Sequence, residues 1–499
     1  MPTPSAGASS WTRWRVAGLV LLIGFGASRP AGARGQEPPP IADNDYAVEL
    51  VPGPIQGSGR AIGMGGAFVA VAEGLESVLW NPAGYAARPV HSLDWFELEP
   101  VLGLAGPGSF DQDDFFNNGG DLPAESAIFL TAGLRLQLGN AGLGGLGLFQ
   151  SFEVPGEAGQ QTVTSVAGRF GLAHGFADGQ LVVGLGVRTA RVNVVLGDNT
   201  LFELLGTGIE LGGVFRPERF PFRLGAAVRG PVTARPESGD AQLGPDGVRR
   251  VADFAVPDRV VRPWELQLGA AWQLGPRPLN RRWRRERDPK RELQSSLEAN
   301  RCLRRQAQSV AELRAEGHPD PEGAVGSCPF LERPPESIAF WEDELARVAW
   351  EDRAFRRDLA DARRRTSEAR KAAVAALPRR YLLVSAELLI VGRSEDAVSL
   401  DGFLSQTARR AGRRVSVSPR VGAEAEVVPH WLKLRLGAYL EPARADDALP
   451  RFHGTMGFDL RLFTWDLFGL LDPFTFAVGG TADIARGYVN VGLGLGFWH

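Results

Sequence analysis

Across Tyr488–Trp498 every second residue is apolar. Val489, Val491, Leu493, Leu495 and Phe497 fall on one face, and Asn490, Gly492, Gly494 and Gly496 on the other. A period of two marks an extended strand whose two faces meet different surroundings. The pattern returns in Trp431–Leu440, where Leu432, Leu434, Leu436 and Ala438 oppose Lys433, Arg435 and Tyr439. It returns again in Trp264–Leu274, where Leu266, Leu268, Ala270 and Trp272 oppose Gln267, Gly269 and Gln273. Fourteen such segments can be marked, near 93–105, 126–138, 142–154, 162–175, 180–195, 200–215, 221–232, 262–275, 379–393, 413–427, 430–441, 451–463, 473–485 and 487–498. Strands of globular proteins average about five or six residues, whereas strands that cross a bilayer need about nine to eleven. Beyond the N-terminal region no apolar stretch approaches the ~18 residues of a membrane-crossing helix. The crossing open to such a chain is a closed barrel. The expected fold is therefore all-β and transmembrane, an antiparallel outer-membrane β-barrel of about 14 strands. A soluble β-sandwich does not call for so many long strands.

Loop lengths test this independently. In a bacterial barrel the connections after odd strands are external and long, and those after even strands are short. Gly106–Glu125, Thr233–Val261 and Ser394–Gly412 are long, and Gly139–Ala141, Phe176–Gly179 and Val428–Pro429 are tight, as this requires. The connections at Leu196–Thr200 and Arg486 are shorter than the rule expects. Thr464–Asp472 and, above all, 276–378 are longer.

The N-terminus reads as an export address. Arg13 and Arg15 precede an apolar run from Val16 to Ala27, and Ala31-Gly32-Ala33 forms a cleavage site. That pattern is a secretory signal peptide over 1–33, so the mature chain is expected to begin near Arg34. No Cys lies near the cleavage site, so lipoprotein processing is not indicated. Cys302 and Cys328 are the only cysteines, which excludes a disulfide scaffold or an all-cysteine zinc site. An oxidising compartment allows one disulfide between them.

Several chemistries are excluded by their missing motifs. None of Lys290, Lys371 and Lys433, the only lysines, ends a phosphate-binding glycine loop. No histidine opens an HExxH, and no serine sits in GxSxG. No catalytic set, metal or cofactor is expected. The net charge of −3 gives no pull towards nucleic acid. Lumenal polar residues such as Glu387, Lys433, Arg435 and Arg461 read as a barrel-filling ion-pair network.

Composition changes abruptly at 276–378. Arg277, Arg281, Arg282, Arg284, Arg285, Arg287, Lys290 and Arg291 crowd its start. Helix formers then dominate near 288–316 and 335–377, separated by His318-Pro319-Asp320-Pro321, Gly323, Gly326 and Pro329. The segment is expected to be a charged helical hairpin on the periplasmic side, either a docking arm for a periplasmic partner or a solvated insertion. The Arg cluster after strand eight could meet lipid phosphates, and Arg409, Arg410, Arg413 and Arg414 could meet lipopolysaccharide.

Ahead of the first strand, residues 60–84 carry Arg60-Ala-Ile-Gly63-Met64-Gly65-Gly66-Ala67-Phe68-Val69-Ala70-Val71-Ala72-Glu73 and then Trp80-Asn81-Pro82-Ala83-Gly84. Glycines permit close packing or positive φ. Ala67–Leu79 reads as a short apolar helix that Asn81-Pro82 ends. This stretch resembles the FadL-type outer-membrane transporter family, and equally the PorV-type barrels. The resemblance implies a hatch over 34–92, inside a barrel whose strands 1–8 occupy 93–275 and strands 9–14 occupy 379–499. It implies hatch roles for Gly63, Gly65, Gly66, Asn81, Pro82, Ala83 and Gly84. It also implies passive inward carriage of long-chain fatty acids or aromatic hydrocarbons. Glu73-Gly74-Leu75 departs from relatives that commonly carry Asp, and the insertion at 276–378 departs from the usual pattern.

The expected function is passive uptake of a hydrophobic ligand, with Phe110, Phe115 and Phe116 as capture groups on the loop after strand one. A PorV-like scaffold for a secretion or surface-attachment complex is the alternative. Expected partners are outer-membrane lipid and lipopolysaccharide, a hydrophobic small molecule, and a protein at 276–378. The C-terminal strand, with Phe497 and Trp498, resembles the signal read by the barrel assembly machinery, although His499 follows where an aromatic commonly ends the chain.

Overall fold

The computed structural model describes residues 38–50, 53–107, 114–117, 125–156, 159–238, 240–283, 302, 305–306, 308–324, 338–446, 448–465 and 474–498. The expected signal peptide lies outside the described residues, as do Phe110, Cys328 and most of the Arg cluster after Arg282.

Fourteen strands close into one barrel. In chain order they are β1 (Phe96–Pro107), β2 (Glu125–Leu138), β3 (Ala141–Gly156), β4 (Gly159–Phe176), β5 (Leu181–Leu196), β6 (Asn199–Phe215) and β7 (Phe222–Arg229). They continue as β8 (Glu265–Leu274), β9 (Leu382–Val391), β10 (Ser416–Val428), β11 (Leu432–Glu441), β12 (Arg451–Trp465), β13 (Phe474–Ala485) and β14 (Tyr488–Phe497). Each pairs antiparallel with its sequence neighbour. The ring closes where Leu102–Pro107 of β1 meets Asn490–Leu495 of β14. Closure leaves no open edge in the wall, which is the condition for backbone to sit in hydrocarbon.

The wall alternates as the sequence pattern requires. On β5, Leu181, Val183, Leu185 and Val187 face outward while Val182 and Arg188 are buried inside. Outward leucine, valine and phenylalanine side chains recur on every strand, forming the apolar band that a lipid-facing barrel presents. We call the end carrying the long connections the mouth and the opposite end the base. Trp95, Phe96, Phe176, Phe215, Phe220, Trp272, Trp431 and Trp465 are exposed around the base. That is an aromatic girdle, placed where an amphipathic ring prefers a membrane–water interface. The short connections at 197–198 and 486–487 are genuine tight turns at the mouth, so loop parity is looser here than the rule.

At the mouth, Ala47–Glu49 is the centre of a five-stranded sheet. It pairs parallel with Arg259–Arg262 and with Ala397–Ser399, both from mouth connections. Beneath it lies an apolar core of Val48, Phe152, Val194, Phe202, Phe254 and Phe403. The chain then descends through the lumen and reaches the base before β1. The insertion leaves the base after β8. Its described part includes a 38-residue helix at Ile338–Ala375, close to the expected second helix. Arg370 of that helix meets Asp94 at 2.9 Å. Two members of the Arg cluster bond protein carboxylates, Arg277 to Glu426 and Arg282 to Glu218. Arg409 and Arg413 likewise pair with Asp401 and Asp446.

One expectation fails. Ala67–Leu79 is not a helix. A single helical turn precedes it at Gly59–Gly63, its own last residues, Leu75–Leu79, form a 3₁₀ turn, and another 3₁₀ turn follows at Pro82–Tyr85. The backbone amides of Phe68 and Val69 bond the Glu387 carboxylate at 2.9 and 2.8 Å instead of helix carbonyls. The Val69–Ala70 backbone also presses on Gly225 of the wall, where a helix would not fit.

The hatch seats on glycines of the inner wall. A side chain at Gly184 would overlap the carbonyl of Pro82. Overpacking of this kind costs roughly 1–3 kcal/mol. Gly184→Val should therefore lower the melting temperature in a heat-modifiability or circular-dichroism melt. Gly454→Ala, whose added methyl meets no atom within 4 Å, should not.

Candidate functional site

The hatch has little regular structure, so its buried backbone groups need partners from the wall. Arg229 donates to the carbonyls of Leu79 and Trp80, each at 2.7 Å. Arg223 donates to Val71 O at 2.6 Å, and Thr455 to Gly63 O at 3.2 Å. Asn81 is fully buried and spans both partners: its amide donates to Val69 O at 2.9 Å and to Gly213 O at 3.0 Å. Its carbonyl accepts from Ala83 N–H, capping the turn that Pro82 begins. That use explains the Asn-Pro-Ala order.

The glycines of the motif have individual reasons. Gly65 and Gly66 have φ of 61° and 68°, the left-handed region in which glycine is unstrained. Gly63 lies against Gly457 of β12, where an added Cβ would come within 3.1 Å of Gly457 Cα. Gly84 stands where a Cβ would overlap the Ser77 hydroxyl. Gly63 and Gly65 thus lie against β11 and β12, and Asn81 and Pro82 against β6 and β5.

A second tier of contacts is ionic. Glu424 accepts from Arg60 at 2.7 and 2.8 Å and from Arg435 at 2.7 Å, and Arg435 also pairs with Asp459. Arg60 and Arg223 both reach Glu73. Glu73 therefore accepts from two arginines, Arg60 and Arg223. Of the expected network residues, Glu387, Lys433 and Arg435 line the interior, whereas Arg461 sits at the base over the Trp431 ring.

The seated hatch divides the lumen into two chambers. The mouth-side chamber has a volume of about 300 Å³. Ile55, Leu79 and Trp80 of the hatch form one side, and Leu148, Phe152, Val163, Leu389 and Val391 of the wall form the other. Phe115 and Phe116 complete it. They are not exposed capture groups on a free loop. Phe115 is buried against Phe129, Phe152 and Tyr488, and Phe116 packs on Phe152 at 5.6 Å. Arg451 fixes their backbone through Asp114 O, and itself bonds Glu441. The base-side chamber, about 450 Å³, is lined by Arg60, Glu73 and Glu76 of the hatch and by Glu99, Arg435 and Asp459 of the wall. Burial pushes the Glu76 carboxyl up to about 7.

Sequence reading missed Ile55, Trp80, Leu148 and Phe152. Leu148 and Phe152 are inward apolar residues on strands whose outward face is also apolar, so period two gave them no distinct signal. Cys302 is disulfide-bonded. Among the described residues no three His, Cys, Asp or Glu side chains converge as a metal site.

No family model matches this sequence, and no curated protein matches it either. Solved structures do show likeness. A Pseudomonas aeruginosa FadL homologue is 10% identical, with 90% of this chain and 98% of that chain covered and a TM-score of 0.45. The CymD monoaromatic hydrocarbon channel is 10% identical, covering 92% and 99%, with a TM-score of 0.42. The P. putida toluene transporter TodX is 12% identical, covering 89% and 99%, also with a TM-score of 0.42.

Two measurements follow from the ionic tier. Glu424→Gln leaves Arg60 and Arg435 short of a carboxylate, and breaking a buried pair typically costs about 3–5 kcal/mol. Chemical unfolding should show a loss of that order. Glu76 behaves oppositely. Its raised pKa means that its contribution to stability is present at acid pH and is lost as pH rises through about 7. Glu76→Gln should therefore gain on the wild type in melts at alkaline pH and show no such gain well below the usual carboxyl range.

Proposed function

We propose that this protein is an outer-membrane channel for passive uptake of hydrophobic compounds, long-chain fatty acids among them. The observation that carries this reading is the mouth-side chamber, where Ile55, Trp80, Leu148, Phe152 and Val163 form an apolar stretch among charged residues such as Arg229 and Glu265. Its size is at the lower end of the roughly 300–1,000 Å³ usual for small-molecule sites. The lipid-facing band and the aromatic girdle support a membrane location with the base at one interface. The long mouth connections then face outside and the insertion faces the periplasm.

The physics needs no covalent step. A hydrophobic molecule gains about 25 cal/mol for each Å² of apolar surface that it buries. The chamber offers that burial beyond the polar lipopolysaccharide layer. Affinity must stay moderate, because the same molecule has to leave towards the periplasm. Trp80 and Ile55 make the hatch itself part of the binding surface, so an occupant touches the element that blocks its way.

The test is to extract the protein in mild detergent and identify bound molecules by native mass spectrometry. A fatty acid or hydrocarbon retained at one per chain is expected. A stoichiometric protein with no apolar ligand would overturn the reading. Leu148→Trp fills the chamber from the wall and should abolish that retention while the barrel stays folded.

A further inference from the structure

The inner wall at the seam is bare. On β14, Gly492, Gly494 and Gly496 face the lumen. Beside them stand Gly103 and Ala105 of β1 and Gly479 and Thr481 of β13. All seven line the base-side chamber, which extends along this wall as a gutter between wall and hatch. Local structure does not account for Gly103, Gly494 or Gly496. None has a positive φ. A Cβ on Gly496 would meet nothing within 4 Å, and one on Gly494 or Gly103 would meet a single atom at 3.8 Å. Glycine weakens a strand interior unless something needs the room.

The upper end of the gutter is marked independently. Asn490 and Tyr488 continue the same face of β14 towards the mouth. Both are buried, at 2% and 1% exposure. Asn490 Oδ1 has no hydrogen-bond partner among the described residues, while the Tyr488 hydroxyl meets the Asn490 side chain. Phe115, which lines the mouth-side chamber, packs on Tyr488 with ring centroids 6.3 Å apart. Along this wall Gly492 is followed by Asn490 and then by the Tyr488–Phe115 contact, with the mouth-side chamber beyond it.

We propose that an apolar molecule passes from the mouth-side chamber to the base-side chamber along this glycine gutter, once Phe115 and Tyr488 part, while the hatch stays in its seat. The proposal rests on the channel reading. Unseating the hatch strands the donors and acceptors of Arg223, Arg229, Asn81 and Glu387 together. Parting two rings asks only for changes of side-chain rotamer. The lower-cost route is the one along the wall.

The test uses N-phenyl-1-naphthylamine, an apolar fluorophore that brightens in hydrocarbon and that an intact outer membrane excludes. Cells carrying the wild-type protein should brighten faster than cells without it. The double variant Gly494→Leu, Gly496→Leu should lose that increment, and Gly496→Leu alone should reduce it. The purified double variant should still brighten the probe in its mouth-side chamber and keep the gel mobility of a folded barrel. Gly454→Leu, equally free of close neighbours but on the outer face, should keep the full increment. Wild-type uptake in either gutter variant would overturn the gutter and leave the channel reading standing. If wild-type cells brighten no faster than cells lacking the protein, the channel reading fails and the gutter falls with it.

Discussion

A plug with almost no regular secondary structure can be buried only if something else satisfies its backbone. Here the barrel wall does so. Arg223, Arg229, Glu387 and Thr455 point inward and bond hatch carbonyls and amides directly, and Asn81 returns the contact from the hatch side. Each buried group left without such a partner costs about 1–3 kcal/mol, so the set acts as a seat with a defined geometry. The remaining interior follows from it. Inward positions that do not bond the hatch must be small enough to admit it, hence glycines such as Gly184 and Gly225 against its backbone.

The seat also explains why the two chambers differ. On the mouth side the hatch turns Ile55, Leu79 and Trp80 to an apolar wall. On the base side it turns Arg60, Glu73 and Glu76 to a charged one. Apolar surface is therefore more plentiful above the hatch than below it.

The barrel was legible because lipid imposes a strict rule. All fourteen marked segments coincide with barrel strands to within a few residues, from Tyr488–Phe497, the clearest, to Glu265–Leu274. Outward apolar side chains and inward polar or small ones give period two wherever both faces obey. The hatch obeys no such period. Ala67–Val71 is apolar because it is buried on all sides, and a run of that kind fits a helix as well as an irregular strand. Only the partner for its amides decides, and Glu387 lies far along the chain. Phe115 misled for a related reason. A loop position suggests exposure, but Arg451 and Tyr488 fold this loop back into the lumen.

The mouth sheet has a consequence for assembly. Ala47–Glu49 is paired at the mouth, whereas the chain starts β1 at the base, so the segment between them runs the length of the lumen. It is a fifteenth traverse, made without lipid contact. A thread cannot be drawn through a closed ring whose ends are pinned by a folded sheet above and by strands below. The N-terminal segment must therefore lie inside while the seam between β1 and β14 is still open. The last strand to be synthesised is then also the one that seals the chain around its own beginning.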